Sequence, residues 1–133
     1  MFRKTSKPQN RIDCLIGGST KIEGNVFFSG GLRVDGNVRG NVCALPEQPG
    51  TLVVSEEACI DGEVQAAHIV VNGTINGPVH ATETIELQAS SRVTGDVHYK
   101  SIEIQQGAVV EGRLVHLDGT EAKGVELKLA TGG

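Results

Sequence analysis

A chain of 133 residues carrying a net charge of −4 is long enough for one small domain, and its filling is unusual: aromatics are 3%, Trp is absent and there are 18 Gly. A core so poor in rings suits narrow stacked strands better than a broad sandwich. Three cysteines, Cys14, Cys43 and Cys59, lie far apart with no CxxC pair, which argues against a disulfide framework or a zinc site and predicts a reducing compartment, the cytosol. There is no apolar run of about 18 residues and no secretory-type apolar stretch near the N-terminus, so neither a membrane span nor an export signal is predicted.

In chain order, residues 1–13 form a basic arm that is expected to be disordered. Arg3, Lys4, Lys7 and Arg11 fall within its first 11 residues with no acid, so the remaining 122 residues carry 8 basic and 16 acidic groups. Such an acidic body is a poor partner for nucleic acid, because phosphate binding needs a cationic surface and usually stacking aromatics. The arm by itself suits an anionic lipid surface.

A repeat begins at Cys14. Measured from Gly112, apolar or small residues stand at −10, −8, −4, −2 and +2: Ile102, Ile104, Ala108, Val110 and Leu114. Gly95, Gly62 and Gly24 head the same pattern, and a shorter version joins Leu32, Val34, Gly36, Val38, Gly40 and Val42 to Ile69, Val71, Gly73, Ile75, Gly77 and Val79. The reference glycines 24, 40, 62, 77, 95 and 112 are thus spaced by 16, 22, 15, 18 and 17 residues, giving six units. The long gap holds ALPEQPG (44–50), whose prolines and glycine predict a loop extruded at one corner.

Within each unit the period is two, which selects strands of about five or six residues and excludes helix. Only in-register parallel stacking sets each Val on the Val of the next copy. The predicted fold is therefore all-β: a parallel β-helix over 14–117, of six roughly triangular windings rising about 4.8 Å each, with the glycines at a corner. The general preference of parallel crossovers makes it right-handed. Left-handed β-helices of the hexapeptide acyltransferase kind step strictly by six, and no such step survives here. The tail, 118–133, is expected to be flexible, although its VELKL alternates like a strand and the sequence leaves open whether it adds one.

Candidate chemistry is thin. His80, His98 and His116 are spaced by 18 residues, and three histidines projecting from a β-helix can hold zinc. However, His80 and His98 share offset +3 whereas His116 falls at +4, so a solvated ladder of two histidines is favoured; His68 has no partner in sequence. Gly17-Gly18-Ser19-Thr20 lacks the remainder of a phosphate loop. Asp35, Asp61, Asp96, Glu23, Glu63 and Glu111, beside the glycines, read as a solvated acidic face. Cys14 takes a core slot as a small hydrophobe, and nothing near Cys43 or Cys59 argues for a lowered thiol pKa. No nucleophile, base and orienter come together, so no enzyme, cofactor or nucleotide is expected. The alternatives are a β-helix enzyme of acyltransferase or carbonic anhydrase type and a monomeric polysaccharide-binding scaffold, the latter weakened by the scarcity of aromatic platforms.

Geometry itself is then the candidate function. Solenoids that stay single cap their end windings, and no amphipathic helix is written at either end. Uncapped ends stack into fibres. The predicted polymer interface is Cys14, Ile16 and Ile22 at one end with Leu114, Val115 and Leu117 at the other.

The stretches IDCLIGGSTKIEGNVFFSGGLRVDGNVRGNV (12–42), LVVSEEACIDGEV (52–64) and IEIQQGAVVEGRL (102–114) resemble bactofilins, bacterial polymer-forming cytoskeletal proteins, with the likeness covering 12–117. The resemblance implies a right-handed β-helix between flexible termini. It also implies filaments assembled without nucleotide through terminal windings, lying at the inner membrane and placing cell-wall or cell-shape proteins. The opening MFRK is similar to a bactofilin membrane-targeting peptide, with Phe2, Arg3, Lys4 and Lys7 matching. Relatives often carry an aromatic near the C-terminal end of the core; here none follows Tyr99, leaving Leu114, Val115 and Leu117 as aliphatic substitutes.

Overall fold

The computed structural model describes residues 12–46 and 50–117; the basic arm up to residue 11, residues 47–49 and the tail from 118 lie outside the described residues. The first winding is β1 (Cys14–Ile16), β2 (Lys21–Glu23) and β3 (Val26–Phe28), and the second is β4 (Gly31–Val34), β5 (Asn37–Arg39) and β6 (Val42–Ala44). The third runs through β7 (Thr51–Val54) and β8 (Cys59–Asp61) into β9 (Val64–Val71), which also opens the fourth. β10 (Thr74–Asn76) and β11 (Val79–Leu87) carry the chain into the fifth winding, completed by β12 (Arg92–Thr94) and β13 (Val97–Tyr99). The sixth is β14 (Ser101–Ile104), β15 (Val109–Glu111) and β16 (Leu114–His116).

Every pairing is parallel and joins equivalent positions of successive windings. On face one Cys14 pairs with Leu32, Leu32 with Leu52, Leu52 with Ile69, Ile69 with Ile85 and Ile85 with Ile102. Face two stacks Ile22, Val38, Ile60, Ile75, Val93 and Val110. Face three stacks Val26, Val42, Val64, Val79, Val97 and Leu114. The result is a three-sided parallel β-solenoid of six windings, with no helix among the described residues.

Burial follows from this register. Alternate side chains of each strand enter the prism, so Leu32, Val34, Val38, Val42, Leu52, Val54, Ile60 and their successors up to Val97 form one dry column. Observed strands have mostly three or four residues, shorter than the sequence predicts, because each corner takes part of the unit. β9 and β11 are longer since they pass through the corner between faces three and one without losing their pairing. There Ala67 alone sits opposite Thr82 and Glu83, and the register shifts in a bulge.

The three corners differ. From face one to face two the chain spends either four residues, as at 55–58, or two, as at 72–73; from face three to face one it spends between one and six, including the extruded 45–50. From face two to face three it always spends two, and the first is a reference glycine. A Cβ on Gly40 would stand 2.1 Å from the carbonyl oxygen of Gly24, one on Gly62 2.2 Å from that of Gly40, and one on Gly112 2.1 Å from that of Gly95. Gly62 also has φ +154, in the region that disfavours side chains. The glycine amides keep the corner bonded, Gly40 N–H donating to Asp61 O at 2.9 Å and Gly77 N–H to Thr94 O at 2.8 Å. The residue that follows adds a second ladder: Asn25 Oδ1 accepts from Asn41 N–H, and Asn41 Oδ1 accepts from Glu63 N–H. At the next step stands Pro78, which has no N–H to offer.

Gly24 provides an internal control, with φ +135 but nothing within 4 Å of an added Cβ. Gly24→Ala should therefore cost only backbone strain, about 1–3 kcal/mol, and Gly62→Ala that much plus a backbone collision. Thermal unfolding followed by circular dichroism should show the larger fall in Tm for Gly62→Ala; equal falls would rule out the carbonyl contact as the reason for glycine.

Candidate functional site

Side chains that could carry chemistry are spread over the outside of the prism. His80 and His98 stack, rings 4.2 Å apart and 6° from parallel, on the outward side of face three. His80 Nε2 lies 3.6 Å from Glu63. Burial first, and the charge of His80 second, push the pKa of His98 below its ordinary value. His116 belongs to another column, as its offset predicts: it pairs with Tyr99, tilts on that ring at 5.5 Å and places Nε2 3.0 Å from Lys100 O. His68, without a partner in sequence, finds the Thr84 hydroxyl at 2.9 Å across the next winding.

Cys43 and Cys59 have raised thiol pKa values, through burial and then Glu63 for the first and Asp61 for the second, so both disfavour the nucleophilic thiolate. Glu23, Asp61, Glu63, Asp96 and Glu111 border the glycine corner. Asp35 belongs elsewhere, at the corner before Gly36, where it accepts from the Ser55 hydroxyl and, at 2.9 Å, from Arg33 Nε. These bonds hold its carboxyl below the usual carboxylate range. A groove of about 500 Å³ runs beside it, lined by Arg33, Val53, Ser55, Val70 and Asn72 among others. Ser55 donates to Asp35, and no histidine stands among the described residues of the lining.

The ends of the column are different. In the middle windings the inward residues are fully buried, whereas Cys14 is exposed although its neighbour above, Leu32, is buried. At the other end Ile104 is 47% exposed although it pairs with the buried Leu87. Ile22, Val26, Ile102, Val110 and Leu114 are partly buried rungs packed on the core.

Of the residues the sequence singles out, Cys14, Ile16 and Ile22 lie in the first winding, with Ile16 already 7% exposed and hence mostly core. Leu114 points inward in the last winding. Leu117 follows β16 half-buried, its N–H donating to Tyr99 O at 2.6 Å. Val115 pairs with His98 and lies in its outward column, away from the inward rungs. Phe2, Arg3, Lys4 and Lys7 lie outside the described residues. The sequence reading omits Val26 and Phe28 from one end and Ile102, Ile104 and Val110 from the other. The signal was present, since Ile102, Ile104 and Val110 occupy offsets −10, −8 and −2 of the terminal unit.

A one-dimensional stack of equivalent rungs whose chemistry-bearing groups are dispersed, and whose inward rungs Cys14 and Ile104 are exposed at its two ends among the described residues, has the form of a structural repeat protein. Comparison identifies which kind. The family described as "Bactofilin: Polymer-forming cytoskeletal" matches residues 14–115, and the chain belongs to that family, whose members are cytoskeletal structural proteins. Bactofilin BacP of Myxococcus xanthus (strain DK1622) is 28% identical over 112 residues, covering 84% of this chain and 45% of its own length. Bactofilin BacO of the same organism is 27% identical over 112 residues, covering 84% of this chain and 83% of its own. The chain thus spans under half the length of the first and most of the second. No solved structure matches it. No helix among the described residues is long and apolar enough to cross a membrane.

The lowered pKa of His98 has a defined sign. An unfolded histidine binds its proton near pH 6.5 and the folded one only at lower pH, so the native state carries no penalty above that value and loses stability as pH falls through it. Urea unfolding between pH 5 and 8 should show this loss. It should be smaller in His98→Gln, which places the residue type of Gln65 in the same outward column. An unchanged pH dependence would remove His98 as its source.

Proposed function

We propose that the chain polymerises without nucleotide by end-to-end stacking of its terminal windings. We further propose that the filament lies at the inner face of the cell membrane, held by the N-terminal arm, as a scaffold that positions cell-wall or cell-shape proteins. The observation that carries this is the exposed inward rung at each end of the column, Cys14 and Ile104, continuous with buried rungs of the same parity. A strand edge with free backbone groups over an open apolar layer is adhesive, and a contact whose operation does not close a ring grows into a fibre. Membership of a polymer-forming family supports the same reading.

For the membrane, the arm supplies one apolar anchor, Phe2, worth about 1.5–3 kcal/mol if buried, and Arg3, Lys4 and Lys7, worth about 1 kcal/mol each near an anionic leaflet. A single copy holds weakly. A filament presents the arm many times along one line, and avidity does the rest.

Purified protein should form filaments visible by electron microscopy in buffer without ATP, GTP or added metal; monomers persisting across concentration and salt would sink the proposal. Cys14→Lys and Leu117→Lys should keep the circular dichroism of the fold and lower the sedimentable fraction at least about tenfold, because burying an unpaired ammonium costs several kcal/mol and 1.4 kcal/mol is already a factor of ten. Deleting residues 2–7 should release filaments from anionic liposomes while polymerisation persists, and retained binding would refute the role of the arm.

A further inference from the structure

Face one of the last winding ends on β14, whose outer edge pairs with no other strand among the described residues. Its inward residues are the half-buried Ile102 and the exposed Ile104, and its outward Glu103 has no ion-pair partner among the described residues. One segment of the chain fits this edge residue by residue. Face one reads Thr84-Ile85-Glu86-Leu87-Gln88 in the fifth winding and Ser101-Ile102-Glu103-Ile104-Gln105 in the sixth; the tail reads Gly124-Val125-Glu126-Leu127-Lys128. The first position is small or polar, the second and fourth are aliphatic, and the third is the same acid in all three.

The fifth position completes the match. Gln105 reaches back one winding to Glu86, Nε2 to Oε2 3.3 Å, and Gln88 donates to the same oxygen at 3.1 Å. Lys128 in the position of Gln105 would stand against Glu103 as Gln105 stands against Glu86, placing a cation on the unpaired acid and offsetting the stacking of Glu126 on Glu103. The connection is long enough: residues 117–123 would have to turn from face three to face one, which 45–50 already do between Ala44 and Thr51.

We infer that residues 124–128 dock on the free edge of β14 as a seventh face-one strand, with Val125 over Ile102, Glu126 over Glu103 and Leu127 over Ile104. The docked strand covers two inward rungs of the C-terminal end and leaves faces two and three of that end open. This edge is also one that the polymerisation proposed above would give to a neighbouring molecule. On that reading, and resting on it, the tail is an intramolecular competitor for filament contact at this end.

The test is a cross-link in the full chain with Cys14, Cys43 and Cys59 replaced by Ser. Glu103→Cys with Glu126→Cys puts two outward thiols on neighbouring strands, whose spacing of about 4.8 Å suits a disulfide. Glu103→Cys with Leu127→Cys shifts the second thiol by one residue and turns it inward. Oxidation at high dilution, read by mass spectrometry of the digest, should give an intrachain disulfide in the first pair at least about fivefold over the second. Equal yields, or a disulfide formed only between chains, would overturn the docking. Sedimentation of the reduced protein without nucleotide separates the two proposals: an intrachain disulfide in a chain that never pellets keeps the docking and removes polymerisation, whereas pelleting with equal yields does the reverse.

Discussion

The close approach of backbone to backbone at the corner between faces two and three is the constraint on which the rest of the prism depends. There each glycine after Gly24 carries no side chain because the carbonyl of the previous glycine occupies the space where a Cβ would be. Two residues are spent at this corner in every winding, while the other two corners absorb all variation in repeat length. An invariant corner fixes the phase of the strands on either side of it. Valine then falls on valine down face three, and the aliphatic column on face two follows, from Ile22 to Val110. The unequal spacing of the reference glycines is thus compatible with perfect register, since extra residues such as 45–50 leave the prism before they can displace a rung.

Stability in such a stack is distributed along its length. A middle rung, such as Val64 or Ile75, is covered by a winding on each side and is fully buried, whereas the terminal rungs Cys14 and Ile104 have one covering winding among the described residues and are exposed. In a globular domain exposed apolar residues scatter, but here the described ones, Leu45 on the extruded loop apart, gather in or beside the first winding (Ile12, Leu15, Phe27) and in the last (Ile104, Val109). The titratable groups have the opposite distribution. Apart from Cys14 and the buried Tyr99 they stand outside the prism among the described residues, some in pairs such as His80 with His98 or in small bonded sets such as Arg33, Asp35 and Ser55 that join one winding to the next. That division between a polar wall and apolar residues exposed in the end windings, among the described residues, accords with the structural role of the family.

Much of this was legible in the sequence because a solenoid is local in its repeat. Offsets from six glycines were enough to give parity, winding number and the corner, and they separated His116 from His80 and His98. Strand ends were less legible, since the sequence shows which residues alternate but not how many a corner consumes, and the run of β9 through Ala67 has no turn signal at all. Asp35 was grouped with acids of the wrong corner because Gly36, its neighbour, resembles a reference glycine in sequence while serving the opposite edge; its Cβ position meets Thr20 O and Gly17 O. The end surfaces were half legible. Cys14 and Leu114 follow from being first and last of their columns, but Val115 was included although its parity is outward, and Ile104 was passed over although its parity is inward. Exposure at an end depends on what lies beyond it, which a repeat cannot encode.

Because the strands run around the prism, their interstrand hydrogen bonds run along it. Tension applied along the axis therefore falls directly on those bonds and on the three faces side by side, so that no face can part without the other two. The glycine corner adds its own amide bonds to this load path, and at the fourth winding Pro78 removes one donor from the side-chain ladder beside it. Under strain the six windings are links of nearly equal strength, and the mechanical limit of the domain is set by its least bonded junction rather than by the size of its core.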